Sequence, residues 1–323
     1  MRYRSFGRTG WEVSEIGCGM WGHGVWNDSI TEGLLEEMKF CVDKGVNFFD
    51  TAYQYGNGAS EQLVGKLLKT CSGKTLYVAT KIPPKNDKWP SQQHFLYKDV
   101  FPDDHVLRYT ESSLKNLGID CIDLLQFHVW EDAWADNKSW QDMVVRLKEE
   151  GLVKAVGISL NRWEPNNGVK TIQTGLVDAV QVVYNIFEQA PEDRLFPFCN
   201  ELNIAVLARC PFELGVLTGK MTLKTKWPEA DWRNRIFIPE NRIPSVKHAD
   251  LLKPLVPDQM TMAEMALRFI LYNKTVSTVI PGMRKRYQIE SNTSCSDGMV
   301  LPAELFKKLR QHRWDRAPIW WAS

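Results

Sequence analysis

Four side chains suited to proton transfer lie at or just after the ends of three apolar segments of this chain. Asp50 ends the segment 46–50, and Tyr55 follows in a polar loop. Lys81 lies near the end of the next apolar segment, and His128 ends the one after it. A buried carboxylate costs several kcal/mol unless a cation or hydrogen bonds compensate it. We therefore expect Lys81 to pair with Asp50.

Each of these residues also has a structural explanation when it is taken alone. An Asp at a strand end often caps a turn, a Lys is usually solvated, and a single His is more often structural than catalytic. Because three neighbouring segments each deliver an ionisable group at the same end, the functional interpretation is favoured. The ammonium group of Lys81 is expected to lower the pKa of Tyr55 from its ordinary value near 10.

The chemistry that fits this set is proton transfer coupled to reaction at a carbonyl. His128 is placed to hydrogen-bond a substrate oxygen, and Tyr55 to act as general acid. The chain shows neither metal-ligand spacing nor a Ser or Cys nucleophile beside a base, so we predict no metal site.

The elements that position these residues alternate between strand and helix along the whole chain. Such alternation is typical of α/β proteins, and eight strands favour a closed (β/α)8 TIM barrel. A doubly wound sheet is the alternative, but the Gly-x-Gly-x-x-Gly turn expected after its first strand is missing. The predicted strands are 16–19, 46–50, 75–82, 122–128, 154–159, 179–185, 204–209 and 275–280.

A short hairpin is predicted before the barrel, at 3–14, and two helices after it, at 285–293 and 302–313. The other predicted helices are 30–44, 60–69, 103–117, 139–150, 165–174, 192–202 and 261–272. We expect the segment 213–258 to be an irregular insertion. The whole chain, 1–323, is predicted to be one barrel domain.

The composition excludes several other classes of function. The chain has 323 residues, a formal net charge of +1 and 44% hydrophobic residues, so nothing indicates nucleic-acid binding. No apolar run reaches the roughly 18–20 residues of a membrane span. The N-terminus lacks the apolar core of a signal peptide, and the seven cysteines form no Cys-x-x-Cys pair. We therefore expect free thiols and a cytoplasmic location.

The motifs at these strand ends resemble those of the aldo-keto reductase superfamily, in its bacterial-type branch. The matching motifs are Asp50-Thr51-Ala52, Tyr55-Gly56, Thr80-Lys81, Gln126-Phe127-His128, Gly157-Ile158-Ser159, Gln181, Tyr184-Asn185, Leu217-Thr218-Gly219-Lys220 and Ile280-Pro281-Gly282. The resemblance implies a (β/α)8 barrel that binds NADPH, or less often NADH. It also implies a catalytic group of Asp50, Tyr55, Lys81 and His128, in which Tyr55 protonates the carbonyl oxygen of an aldehyde, ketone or sugar.

The resemblance further implies where the cofactor binds. The cofactor-binding positions are Gly19, Met20, Trp21, Asp50, Ser159, Gln181, Arg209, Pro211, Leu214, Ile280, Gly282, Arg284, Gln288 and Asn292. Two positions depart from the family pattern. Leu160 stands where the family usually has Asn, with Asn161 one place later, and Arg209 stands where a ring-stacking Tyr is common. The cations at 284–286 suit an adenosine 2′-phosphate and favour NADPH.

Trp21, Trp89 and Trp130 are the predicted substrate-binding residues, because aromatic walls suit sugars and apolar carbonyl compounds. A tryptophan in a loop is as often a local packing anchor. Trp320 and Trp321 in the C-terminal tail are further candidates. Two other functions stay open: NADP-linked oxidation of a sugar or alcohol, and a non-catalytic cofactor-sensing subunit. No heptad pattern indicates an oligomeric state.

Overall fold

A computed structural model of the protein describes residues 1–22, 32–229 and 231–315. Its centre is an eight-stranded sheet in which every neighbouring pair of strands is parallel. An antiparallel hairpin, β1 and β2, precedes it. The strands are β1 (Tyr3–Ser5), β2 (Glu12–Ser14), β3 (Cys18–Gly19), β4 (Phe48–Asp50), β5 (Tyr77–Ile82), β6 (Ile122–Phe127), β7 (Val153–Ser159), β8 (Ala179–Val183), β9 (Ala205–Arg209) and β10 (Thr278–Val279).

The first and last strands of this sheet meet and close it into a barrel. The Gly17 N–H donates to the Val279 carbonyl at 2.8 Å, and the Gly19 N–H donates to the Pro281 carbonyl at 2.9 Å. A Cβ added at Gly19 would lie 2.7 Å from the Ile280 carbonyl oxygen, so only glycine allows this approach. The predicted (β/α)8 barrel is confirmed.

Helices connect the strands and surround the barrel. They are α1 (Glu32–Asp43), α2 (Ala59–Thr70), α3 (Tyr97–Val100), α4 (Asp103–Leu117), α5 (Lys138–Glu149), α6 (Val169–Ile172), α7 (Leu195–Glu201), α8 (Arg233–Ile236), α9 (Pro239–Leu252), α10 (Met262–Tyr272), α11 (Arg286–Ser294) and α12 (Ala303–Arg310). The predicted C-terminal helices are confirmed as α11 and α12. Two predicted helices are shorter than expected: 165–174 contains only α6, and 192–202 contains α7.

The segment 213–258 differs most from the prediction, because it contains α8 and α9 and is not irregular throughout. Pro239 begins α9, where a missing N–H costs nothing, but Pro244 lies inside the helix. Buried polar residues, Asn241 and Ser245, further interrupt the apolar spacing that marks a helix. Residues 30 and 31 of the predicted first helix, and Trp320 and Trp321, lie outside the described residues.

The hairpin closes the amino-terminal end of the barrel. Phe6, which follows β1, is fully buried, and its ring centroid lies 5.2 Å from that of Phe48 inside the barrel. Within the described ranges, no helix is long and apolar enough to cross a membrane. Since one end is filled by the hairpin, chemistry is left to the opposite end, where the carboxyl ends of the strands meet.

Candidate active site

The inward-facing positions of the barrel change from apolar to polar towards the carboxyl ends of the strands. Side chains two residues apart on a strand lie on the same face of the sheet. A residue two places after an inward-facing residue therefore also faces the inside of the barrel. The inner residues Phe48, Ala79, Leu124 and Ala179 pack in one apolar cluster. Two residues further along the same strands stand Asp50, Lys81, Gln126 and Gln181. Period-two alternation therefore builds a polar layer on an apolar floor.

Asp50 and Lys81 form a buried ion pair in this layer. The Lys81 Nζ donates to Asp50 Oδ2 at 2.7 Å, and their side chains are 0% and 3% exposed respectively. The other oxygen, Oδ1, accepts from Gln181 Nε2 at 2.8 Å and from Gln126 Nε2 at 3.2 Å. Three donors thus compensate the buried carboxylate. No role was predicted for Gln126 from the sequence. Its position two residues after the inward-facing Leu124 could have identified it as a member of the polar layer.

Tyr55 lies above this pair, but its pKa shifts opposite to our expectation. Burial raises the pKa of Tyr55, the charge of Asp50 raises it further, and only the charge of Arg209 lowers it. The expected lowering by Lys81 is therefore wrong. Lys81 Nζ donates to Asp50 and, at 2.6 Å, to the Thr51 carbonyl, and it lies 5.1 Å from the Tyr55 ring centroid. The hydroxyl of Tyr55 is consequently protonated at neutral pH.

His128 lies edge-on between two aromatic rings at the barrel mouth. Its ring centroid is 5.8 Å from that of Tyr55 and 4.5 Å from that of Trp89. Burial lowers the pKa of His128 well below its usual value, and the charges of Lys81 and Arg209 lower it further. The imidazole is therefore neutral, and one ring nitrogen can donate a hydrogen bond to an oxygen without adding charge.

This shift predicts a distinctive pH dependence for His128. As the pH falls below about 6.5, the unfolded chain binds a proton on this ring while the folded chain does not. Because the unfolded state then holds more protons, the contribution of His128 to stability decreases as the pH falls. In an NMR titration we expect its ring resonances, assigned with His128→Asn, to stay constant between about pH 6 and 8. A midpoint near the ordinary histidine value would contradict this.

The predicted nicotinamide-binding residues lie on adjacent strand ends. Ser159 is paired in register with Gln181, and both are buried. Arg209 ends β9, and its Nη2 donates to the Leu160 carbonyl at 3.0 Å. Leu160, which stands where the family usually has Asn, thus contributes its backbone oxygen, and this contact orients the guanidinium of Arg209. Gln181 is held by Asp50. These contacts fix the side chains of Gln181 and Arg209 before any ligand binds.

Asn161, one place after Leu160, does not face this set. Its amide nitrogen donates to Glu131 and to Glu164, each at 3.0 Å. Burial raises the pKa of Glu131, and hydrogen bonds from Asn167 and Asn161 oppose that rise. Asn161 therefore belongs to a polar network in the neighbouring loops.

The first strand and its loop supply three predicted cofactor positions. Gly19 pairs with Asp50 across the sheet, and the Met20 N–H donates to the Asp50 carbonyl at 2.9 Å. Met20 is fully buried, whereas Trp21 is 41% exposed. The Trp21 ring contacts that of Trp232 edge-on, with centroids 4.4 Å apart. A residue of the 213–258 segment is thereby brought to the mouth, which the sequence did not indicate.

The remaining predicted cofactor positions lie after β9 and β10. Ile280 and Pro211 are buried, and Leu214 is half-buried with a left-handed φ of 56°. Gly282 is exposed, and a Cβ built on it would meet no atom within 4 Å. Asn292 is buried on α11.

The predicted phosphate-binding cations are only partly available. The Gln288 side chain accepts from the Arg284 backbone N–H at 3.1 Å, at the start of α11. Arg286 turns towards α1, where its guanidinium lies 3.7 Å from the centroid of the Phe40 ring and 3.3 Å from Glu37. Burial and the charge of nearby Arg233 lower the pKa of Arg284. The charge of Asp231 opposes that lowering, and its carboxylate pairs with Arg233 at 2.9 and 2.5 Å.

The predicted substrate tryptophans separate into two groups. Trp89 is 40% exposed and covers one side of His128, as a pocket wall would. Trp130 is fully buried, and its indole N–H donates to Thr171 Oγ1 at 2.8 Å. Its ring packs within an aromatic cluster of Tyr97, Phe127, Trp134 and Trp140. Trp130 packs as a core residue in this structure, and its contact with substrate stays a prediction.

The residues around the mouth suit a nicotinamide cofactor. Three of their buried polar atoms have no hydrogen-bond partner among the residues that the structure describes: Gln126 Oε1, His128 Nδ1 and Arg209 Nε. An unpaired buried polar atom is costly, so such atoms mark places where a polar ligand can bind. The amide group of a nicotinamide and the oxygen of a carbonyl substrate offer hydrogen-bond donors and acceptors of the kinds that these atoms lack.

Comparison with known proteins agrees with this geometry. The model of the aldo/keto reductase family matches residues 15–313. Aldo-keto reductase YhdN of Bacillus subtilis is 29% identical over 300 residues, covering 90% of this chain and 87% of that protein. The NADH-specific methylglyoxal reductase of Escherichia coli is 27% identical over 314 residues, covering 91% and 93%.

Among solved structures, the glycerol dehydrogenase AKR11B4 of Gluconobacter oxydans superposes with a TM-score of 0.78 at 25% identity. The superposition covers 96% of this chain and 94% of that one. The barrel, the polar layer at its mouth and the family match across almost the whole chain lead to one conclusion. This chain belongs to the aldo/keto reductase family and is an oxidoreductase.

Proposed function

We propose that this oxidoreductase reduces the carbonyl of an aldehyde, ketone or sugar to an alcohol with NADPH, and that Tyr55 is its general acid. The observation that carries this proposal is the buried Asp50–Lys81 pair beneath Tyr55 and His128. A charged pair that is costly to bury, placed under two proton-transfer groups at the carboxyl ends of the strands, supports a catalytic role.

Each side chain has a definite task in this proposal. Tyr55 donates its hydroxyl proton to the carbonyl oxygen, and its raised pKa keeps that proton in place until the oxygen becomes basic. Neutral His128 donates a hydrogen bond that orients the same oxygen. Asp50 holds Lys81, whose second bond to the Thr51 carbonyl fixes the start of the loop that carries Tyr55. Tyr55 then regains a proton from solvent.

Ser159, Gln181 and Arg209 would hold the nicotinamide, and Arg284 would bind the phosphate of the adenosine. When bound, the nicotinamide supplies the hydride that reduces the carbonyl carbon. The Arg284 guanidinium supports NADPH, because an extra phosphate needs local positive charge, whereas the nearby Arg233 is already paired with Asp231. NADH is the alternative, since one relative is named as NADH-specific.

Initial rates on a panel of carbonyls, with methylglyoxal included, test the proposal. They are measured with NADPH and with NADH, and in reverse on alcohols and sugars with NADP⁺ and NAD⁺. We expect reduction with NADPH to have the highest kcat/KM. Tight NADPH binding without turnover on any carbonyl would contradict the enzymatic role and support a cofactor-sensing subunit.

The reverse reaction is the second candidate, because a structural relative is named a glycerol dehydrogenase. The same groups serve oxidation: Tyr55 first loses its own proton to solvent, and it then accepts the proton of the alcohol as the hydride leaves. A higher kcat/KM for glycerol or another polyol with NADP⁺ than for any carbonyl with NADPH would favour this direction.

The two tryptophans give a matched pair of predictions for the substrate pocket. Trp89→Ala removes the wall beside His128, and we expect the KM for an apolar carbonyl to rise about tenfold. Trp130→Phe removes a core hydrogen bond to Thr171, and we expect it to lower the free energy of unfolding by about 1–3 kcal/mol with KM unchanged. Steady-state kinetics and urea unfolding distinguish them. A changed KM in Trp130→Phe would support its predicted role in substrate binding.

We also propose a single domain over 1–323 and a cytoplasmic location. All seven cysteines are free thiols, which supports a reducing compartment.

A further inference from the structure

A buried charge cluster joins three successive loops at the barrel mouth. Arg162 lies in the loop after β7, Glu188 in the loop after β8 and Glu213 in the loop after β9. The Arg162 Nη2 donates to Glu213 and lies 3.4 Å from Glu188 Oε1. Asn185 donates to Glu213 Oε2 at 3.0 Å. We call Arg162, Glu188 and Glu213, with Asn185, the loop cluster.

The loop cluster is costly to bury. The side chains of Arg162, Glu188 and Glu213 are 7%, 10% and 3% exposed. Burial opposes the charge of Arg162, whereas Glu213 and Glu188 raise its pKa, so it is always protonated. Buried ion pairs of this kind add little net stability compared with apolar residues of the same size. Stability alone therefore gives a weak reason for their presence.

The backbone beside the loop cluster is strained. Cys210, Glu213 and Leu214 have φ values of 55°, 46° and 56°, which residues other than glycine rarely adopt. Such conformations cost about 1–3 kcal/mol each and persist where the surroundings impose them. Asn185 supplies that constraint, because its amide also donates to the Cys210 carbonyl at 3.0 Å. The cluster therefore fixes the loop after β9 by both its backbone and its side chain.

Each loop of the cluster follows a strand that carries one of the three residues that we assign to the nicotinamide. Ser159 ends β7, Gln181 lies near the end of β8, and Arg209 ends β9. Leu214, another predicted cofactor contact, follows Glu213 directly. A shift in one loop would be transmitted to these side chains, and misplacement by about 1 Å can cost 100-fold in rate.

We propose that Arg162, Glu188 and Glu213 are positioning residues that lock the nicotinamide-binding loops in their binding-competent arrangement. This inference rests on the proposed function. It assigns to the three residues an effect on cofactor affinity that is separate from their effect on stability.

Three variants separate these effects. Arg162→Met removes the guanidinium from two buried carboxylates and should lower both the Tm and the affinity for NADPH. The triple variant Arg162→Met, Glu188→Gln, Glu213→Gln carries no charge in the cluster and should recover most of the Tm. Arg162→Lys keeps the positive charge but loses the planar guanidinium, whose several N–H groups can bind two carboxylates at once. The Kd of NADPH is measured by fluorescence titration and the Tm without cofactor.

We expect the triple variant to bind NADPH at least about tenfold more weakly than the wild type, although its Tm is recovered. Wild-type affinity for NADPH in the triple variant would overturn this inference and leave the proposed function intact. If the three residues served stability only, recovery of the Tm would restore the affinity as well. If the triple variant does not fold, Arg162→Lys decides: weaker binding at an unchanged Tm supports the inference, and unchanged binding overturns it. A wild-type protein that binds neither NADPH nor NADH would overturn the proposed function and this inference together.

Discussion

Replacing Lys81 by methionine is expected to lower the free energy of unfolding by about 3–5 kcal/mol and to abolish turnover. The change leaves the Asp50 carboxylate buried without its cation, although Gln126 and Gln181 still donate to it. It also removes the bond to the Thr51 carbonyl, which fixes the start of the loop that carries Tyr55. Urea unfolding and initial rates of carbonyl reduction measure the two effects.

The double variant Asp50→Asn, Lys81→Met is the control, because it removes both charges. We expect it to recover most of the lost stability but none of the activity. That separation would show that the ion pair is present for chemistry more than for folding. A Lys81→Met protein as stable as the wild type would contradict the burial of the pair.

Replacing Tyr55 by phenylalanine is expected to lower kcat/KM by about 10²–10⁴-fold, the usual contribution of a general acid. The hydroxyl makes no hydrogen bond to any residue within the described ranges, so its loss should change stability and NADPH affinity little. Steady-state kinetics and fluorescence titration check both parts.

Tyr53→Phe is the matched control for this variant. Tyr53 lies two residues earlier in the same loop, and its ring contacts that of Tyr109 edge-on, with centroids 4.6 Å apart. We expect wild-type kcat/KM for Tyr53→Phe. Equal losses in both variants would mean that the loop as a whole, and not one hydroxyl, sustains activity.

Much of the fold was predictable because its signals are local. Apolar runs followed by amphipathic segments repeat eight times, and a strand register with period two places Asp50 and Lys81 on one inner face. The register pairs Lys81 with Gln126 and Ser159 with Gln181 in the same way. The order of the strands and their period-two alternation thus already predict the polar layer at the barrel mouth.

The features that sequence reasoning missed depend on distant contacts. Burial raises the pKa of Tyr55, the charge of Asp50 raises it further and that of Arg209 lowers it, whereas Lys81 is engaged by Asp50 and Thr51. No spacing rule reveals which of several cations faces a given hydroxyl.

The packing of Trp130 was hidden for a related reason. It follows a strand directly, as a pocket residue would, but neighbouring aromatic side chains from other segments enclose it. The loop cluster was equally hidden, since Arg162 and Glu213 are far apart in sequence and meet only once the barrel has closed.

A single-turnover measurement with NADPH already bound tests the central claim most directly. Wild-type protein and Tyr55→Phe are each mixed with an excess of the best carbonyl substrate, and loss of NADPH absorbance is followed by stopped flow. We predict one equivalent of NADPH oxidised rapidly by the wild type, and oxidation slower by at least about 10²-fold in Tyr55→Phe. NADPH oxidation at the wild-type rate in Tyr55→Phe would contradict the assignment of Tyr55 as the general acid.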